Sequence, residues 1–213
     1  MNKQKRAKLL LSLSMIIFGT LGVFTRNVAV TSGELALYRA ILAAVLIMGY
    51  FLITGQRIDY KAIKKELLLL LFSGMAMGIN WILLFEAYKH TTISAATLSY
   101  YFAPVIVTLV CPILFHEKLR KKQLICFLMS TLGLVLVIGF ENLGDGNHVL
   151  GILLGLGAAV FYATVILLNK FIKNVEGIHR TFLQFLAAIA ILVPYVLITG
   201  DWQIGMLDGK GWV

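Results

Sequence analysis

The chain has 213 residues, of which 60% are hydrophobic and only 14% are charged, and its formal net charge is +9. A soluble domain is about half apolar and about a quarter charged, so this composition excludes an ordinary soluble protein. The abundance of aliphatic and aromatic residues also excludes a disordered chain. The basic excess does not indicate nucleic-acid binding, because the basic residues lie in short clusters between long apolar runs. The composition therefore predicts a membrane protein.

Seven apolar runs are each long enough to cross a bilayer as an α-helix, which takes about 20 residues. In chain order they lie at about 8–28, 34–54, 66–88, 92–115, 123–140, 149–169 and 179–199. The first run follows a basic N-terminus but has no convincing cleavage site, so we interpret it as an uncleaved helix. No run has the short alternating strands of an outer-membrane barrel. The sequence predicts an all-α, polytopic membrane helix bundle.

The lysines and arginines predict its orientation. With the N-terminus in the cytoplasm, 15 of the 19 basic residues fall in the N-terminal segment and the inner loops. The outer segments hold Arg26, Lys89 and Lys210, and Arg39 lies within the second span. Such a bias follows the positive-inside rule. We therefore expect a multi-pass protein of the cell membrane with a cytoplasmic N-terminus, which disfavours a seven-helix receptor.

The sequence from about residue 149 repeats features of the sequence from about residue 9. Leu52-Ile53-Thr54-Gly55 recurs identically 145 residues later, and Phe18-Gly19-Thr20 has a counterpart 143 residues later. Because five helices lie within one period, the second copy enters the membrane from the opposite side, as in many secondary transporters. We predict two inverted five-helix repeats, the first over 1–143 and the second, truncated, over 149–213.

Two charged residues inside the spans have alternative interpretations. Arg39 fits an interface anchor that pairs with Glu34, or an anion-attracting residue at the mouth of a cavity. Glu86 lies near the outer end of the third span. It fits an interface carboxylate neutralised by Lys89, or a residue that couples to a proton or substrate.

Polar and aromatic residues of the third, fourth and sixth spans are candidates for lining a cavity. Trp81 begins an aromatic wall at i, i+4, i+7 spacing, and four residues of the fourth span share one helical face by the same argument. Within that face a proline frees a backbone carbonyl, although interface tyrosines and helix-packing threonines explain the pattern equally well. The candidates are Trp81, Thr97, Tyr101, Pro104, Thr108 and Tyr162.

Signatures of enzymes are absent. The four histidines have no metal-ligand spacing, and there is no phosphate-binding loop or nucleophile elbow. We predict no catalytic residue, no metal and no cofactor. The pairs Gly74-x-x-x-Gly78 and Gly151-x-x-x-Gly155 allow helices to approach closely, within one bundle or between two protomers, so a homodimer stays open. The expected partners are membrane lipids and a small-molecule substrate, with no nucleic acid.

Three stretches resemble the drug/metabolite transporter superfamily, EamA type. They are Phe18-Gly19-Thr20 with the segment 32–39, the segment 86–92 leading to Pro104, and the segment 115–119 before the fifth helix. The resemblance implies ten helices in two inverted repeats with a substrate cavity between the halves. It also implies that Arg39, Pro104 and Glu117 occupy characteristic positions, Glu117 with a structural or gating role.

The function that we expect is outward secondary transport of small metabolites or amino acids, by alternating access between the repeats. The end at Val213, after the seventh predicted span, departs from the family pattern. The alternative is therefore a non-transporting membrane scaffold or assembly subunit built from a truncated repeat.

Overall fold

The computed structural model describes residues 8–9, 12–14, 16, 31–55, 60–115, 121–138, 146–175 and 177–199. Within these ranges every regular element is an α-helix, which confirms the predicted fold class. From residue 31 onward the helices are α1 (Ser32–Thr54), α2 (Tyr60–His90), α3 (Ile93–Tyr100), α4 (Ala103–Phe115), α5 (Lys121–Ile138), α6 (Gly146–Phe171) and α7 (Gly177–Thr199).

In the part of the chain that the structure describes, five segments are long and apolar enough to cross a membrane, and they match five of the predicted spans. They are Ser32–Thr54, Ile63–His90, Ile93–Phe115, Gly146–Phe171 and Gly177–Thr199. Helix α5 covers the predicted span at 123–140 as far as Ile138. Most of the predicted span at 8–28 lies outside the described residues, as do Phe18-Gly19-Thr20, Glu117 and Val213.

The bounds of α1 follow from local chemistry. The Thr31 hydroxyl accepts from the Glu34 backbone N–H, and the Glu34 carboxylate accepts from the Thr31 backbone N–H, both at 3.3 Å. This reciprocal capping box satisfies two N–H groups that the first turn leaves without helical partners. The helix ends at Gly55, whose φ of +65° is a left-handed conformation that favours glycine.

The predicted fourth span is two helices, because the helix is interrupted at residues 101 and 102. Pro104 has no N–H to donate to the carbonyl of Tyr100, so the α-helical hydrogen bond that would cross this point cannot form. The Phe102 N–H instead bonds to Ser99 at 3.2 Å, and α4 begins at Ala103. The fourth predicted span is therefore a helix that is interrupted near its middle.

Helix α2 lies at the centre of the bundle, where it packs against α1, α6 and α7. Two glycines set its distance from α7. A Cβ at Gly74 would lie 2.5 Å from the Gln184 carbonyl oxygen, and one at Gly78 would lie 3.0 Å from Ile191. Gly155 of α6 likewise allows α6 to approach α3 closely, because a Cβ at this position would lie 3.0 Å from the Ala96 carbonyl oxygen. Both glycine pairs thus serve packing within the bundle.

Candidate functional site

Arg39 is fixed on an aromatic ring inside the bundle. It lies seven residues after the start of α1, about 10 Å along the axis at 1.5 Å per residue. Its Cζ lies over the Trp81 ring of α2, 4.9 Å from the ring centroid. Trp81 is buried and packs on Phe185 of α7, with 5.5 Å between ring centroids. In the described part of the chain no carboxylate lies within ion-pair distance of Arg39, so the expected pairing with Glu34 does not form.

Tyrosines from three helices continue the aromatic surface beyond Trp81. Tyr88 and Tyr100 are both buried and lie within electrostatic range of Arg39. Tyr100 packs against Tyr162 of α6, with 5.2 Å between centroids, and against Tyr101, with 6.0 Å. We call this set, with Arg39 and Trp81, the aromatic cluster. Its members are Arg39, Trp81, Tyr88, Tyr100, Tyr101 and Tyr162.

Thr97 adjoins the aromatic cluster, whereas Pro104 and Thr108, the remaining candidates of the fourth span, do not. The Tyr88 and Thr97 hydroxyls share a hydrogen bond of 3.3 Å. Pro104 and Thr108 lie beyond the helix break, where they line a cavity of about 270 Å³ between α4 and α5 with Cys126 and Ser130. The predicted shared face assumed one continuous helix, whereas the structure interrupts the helix at residues 101 and 102, between Thr97 and Pro104.

Glu86 lies away from the aromatic cluster, near the end of α2. Its carboxylate pairs with Lys89 at 3.1 Å and with His90 at 3.4 Å, and it accepts from the Ser32 hydroxyl at 2.6 Å. The predicted contact with Lys89 is confirmed. The side chains of Glu86 and Lys89 are 36% and 47% exposed, so this is a surface ion pair of small energetic weight.

A buried polar cluster that sequence reasoning missed joins α2, α6 and α7. Gln184 donates to the Asn169 side-chain oxygen at 2.6 Å and to the Ser73 hydroxyl at 2.5 Å. Ser73 and Gln184 are almost fully buried, and Arg180 donates to the Asn169 backbone carbonyl at 3.2 Å. Buried polar groups persist in an apolar bundle when they satisfy each other, so this cluster fixes how the three helices meet.

The second missed feature is the buried carboxylate of Glu66, at the start of the third predicted span. It accepts hydrogen bonds from the backbone N–H groups of Lys173, Asn174 and Val175 at 2.8 to 3.2 Å, and from the Asn174 side chain at 2.8 Å. Consecutive backbone N–H groups form a favourable pocket for an anion. Glu66 therefore binds residues 173–175 of the loop between α6 and α7 to α2.

The sequence carries a weak signal for these missed groups. Polar residues in apolar spans need partners, and Ser73, Asn80 and Gln184 interrupt otherwise apolar helical stretches. Ser73 and Asn80 have partners 78 to 111 residues away along the chain, for instance Ala158, whose carbonyl accepts from Asn80 at 2.6 Å. Helical periodicity indicates which face a residue occupies but not which distant helix covers that face.

Comparison with known proteins identifies the family. Residues 5–139 match the model of the EamA-like transporter family. The uncharacterized transporter YxxF of Bacillus subtilis (strain 168) is 31% identical over 98% of this chain and 70% of its own length. An uncharacterized transporter of Archaeoglobus fulgidus is 27% identical over 91% of this chain and 69% of its own length.

A more distant relative is solute carrier family 35 member G1 of Mus musculus, which is 21% identical over 90% of this chain and 55% of its own length. No solved structure matches. The family match covers more than half of the chain, and it agrees with the five apolar helices of membrane-spanning length. The chain is a membrane protein that belongs to the EamA-like transporter family.

Proposed function

We propose that the protein is a secondary transporter that exports small metabolites or amino acids from the cell by alternating access between two inverted repeats. The observation that carries this proposal is the aromatic cluster around Arg39. A charged residue within a membrane span is expensive and marks a substrate pathway when it faces the interior of a bundle. In a member of a transporter family, such a residue supports a solute site between helices of the first repeat and α6 of the second.

The contacts between α1 and α7 support the inverted repeat. At one end of this pair Phe51 stacks on His179, with 4.8 Å between ring centroids. The repeat offset of 145 residues carries Phe51 to Val196 and His179 to Glu34. At the other end Val196 packs beside Gly33, the neighbour of Glu34, with 3.3 Å from its Cγ2 to a Cβ position there. In each contact one residue belongs to α1 and the other to α7, and the repeat offset exchanges the two helices. A two-fold axis relates contacts in this way.

The exporter proposal includes an orientation that cysteine labelling tests. In a background of Cys111→Ala and Cys126→Ala, Lys89→Cys is expected to react with a membrane-impermeant maleimide in intact cells. Lys65→Cys is expected to react only after permeabilisation, because Glu66 and the α6–α7 loop meet at the lysine-rich end, which the positive-inside rule assigns to the cytoplasm. Both positions are exposed, so access to reagent is matched. The reverse labelling would overturn the orientation.

Transport itself is tested by flux in proteoliposomes that contain the complete gene product. We expect saturable, substrate-dependent flux across a panel of amino acids and small metabolites without ATP. Flux that depends on ATP hydrolysis would contradict secondary transport. Absence of flux for the whole panel would favour a membrane scaffold instead.

Within the flux assay, Tyr101→Ala is expected to reduce the rate by about 10-fold, and Tyr50→Ala to leave it within about 2-fold of the wild type. Tyr101 belongs to the aromatic cluster, whereas Tyr50 lies near the end of α1. The two side chains are similarly exposed, at 47% and 44%, so the comparison is matched for accessibility. Loss of a stacking ring from a binding surface costs about 0.5–1.5 kcal/mol, and the upper end of this range corresponds to about 10-fold. Equal effects of both substitutions would remove Tyr101 from the site.

A further inference from the structure

The charge of Arg39 is not balanced by any acidic side chain that the structure places beside it. The ion pairs of the described residues join Glu86 to Lys89 and His90, at the end of α2. The groups in electrostatic range of Arg39 are Tyr88 and Tyr100, which are neutral hydroxyls at physiological pH. A half-buried cation without a counter-ion is costly in a bundle, and a bound anionic group would offset that cost.

The hydrogen-bonding capacity of Arg39 suits a carboxylate. Its contact with Trp81 is made through the π face of the ring, and such a contact uses none of the five guanidinium N–H donors. Those donors form a planar fork that matches both oxygens of a carboxylate. Trp81 is itself held by Phe185, so the guanidinium is positioned before any ligand arrives.

The rest of the aromatic cluster suits the body of the same ligand. From the buried Tyr100, ring contacts lead to Tyr101 and Tyr162, which are 47% and 38% exposed. An apolar or aromatic group packs favourably against such rings. The cluster thus has a cationic inner end and an aromatic surface that reaches the accessible side of α3 and α6.

We propose that Arg39 is the carboxylate-binding residue of the substrate site and that the transported solutes are organic carboxylates with an apolar or aromatic body. The proposal rests on the proposed transport function and narrows its substrate class. Arg39 binds the carboxylate through paired N–H···O bonds, Trp81 positions Arg39, and Tyr101 and Tyr162 contact the body of the solute.

Equilibrium binding of two isosteric probes to the purified full-length protein in nanodiscs tests the proposal. Phenylacetamide has an NH₂ group in place of one carboxylate oxygen of phenylacetate, so the two probes have the same shape but only phenylacetate is an anion. We expect phenylacetate to bind at least about 10-fold more tightly, since hydrogen bonds to a charged group contribute about 1.5–3 kcal/mol. Arg39→Gln should abolish this preference, Arg39→Lys should retain part of it, and Lys89→Gln, which removes an outer cation, should leave it unchanged.

Equal affinity of the wild-type protein for the two probes, or no binding of either, would overturn the proposal without any variant. A preference that survives in Arg39→Gln, in protein with unchanged thermal stability, would also overturn it. If Arg39→Gln does not fold, the test is the ratio of the affinities of Arg39→Lys for phenylacetate and phenylacetamide. A ratio below that of the wild type supports the proposal, and an unchanged ratio overturns it. Binding is measured without transport, so carboxylate binding without flux would contradict only the transport function, and flux of solutes without carboxylate preference would contradict only the substrate class.

Discussion

Gly74→Ala is expected to lower the thermal unfolding midpoint of the purified protein in detergent by about 2–10 °C. The added Cβ would lie 2.5 Å from both the Ala187 Cβ and the Gln184 carbonyl oxygen, so α2 and α7 would have to separate. Overpacking of this kind costs about 1–3 kcal/mol, and each kcal/mol shifts the midpoint by about 2–4 °C in a domain of this size. The measurement is size-exclusion chromatography after a temperature series.

Gly133→Ala in α5 is the matched control, because no heavy atom of the described residues lies within 4 Å of a Cβ at that position. Alanine is the better helix former, so its midpoint should be unchanged or slightly higher. Equal losses for the two variants would mean that the α2–α7 contact does not limit stability.

Glu66→Gln is expected to destabilise the bundle by about 2–4 kcal/mol and to speed hydrogen exchange at Lys173, Asn174 and Val175. The carboxylate accepts from all three backbone N–H groups, whereas an amide offers one acceptor oxygen and turns an NH₂ group toward donors. Buried donors that lose a charged acceptor cost about 1–3 kcal/mol each. Hydrogen exchange with mass spectrometry gives the local effect, and thermal unfolding gives the total.

Glu86→Gln controls for the loss of a carboxylate on the same helix. Its partner Lys89 is about half exposed, and an amide oxygen still accepts from the Ser32 hydroxyl, so we expect a change below about 1 kcal/mol. Unchanged exchange in the α6–α7 loop of Glu66→Gln would contradict the role of Glu66 there.

The sequence predicts the helices of this fold well because their determinants are local. Apolar length gives the spans, and the first turn of α1 is specified by Thr31 and Glu34 only three residues apart. The interruption of the fourth span is less predictable. Pro104 indicates a lost hydrogen bond, but a proline kinks some membrane helices and breaks others, according to what surrounds it.

The candidate site is only partly predictable for the same reason. Arg39 is conspicuous in an apolar span, and Trp81 follows from helical spacing, but their contact joins residues 42 apart in the sequence. Pro104 and Thr108 share spacing with Thr97 and Tyr101, yet they follow the helix interruption and line a cavity with residues of α5. Glu66 resembles an ordinary interfacial carboxylate until the loop 173–175 is placed beside it.

The hydrogen bonds of α2 also constrain how the protein is made. Glu66, Ser73 and Asn80 have partners 78 to 111 residues further along the chain. A ribosome adds about 5–20 residues per second, so α2 waits about 5–20 s in the bilayer before those partners are synthesised. Unsatisfied polar groups in hydrocarbon cost several kcal/mol each, so α2 carries that cost until its partners are in place. Insertion of α7 supplies Gln184, the last of these partners, and completes the hydrogen bonds of α2.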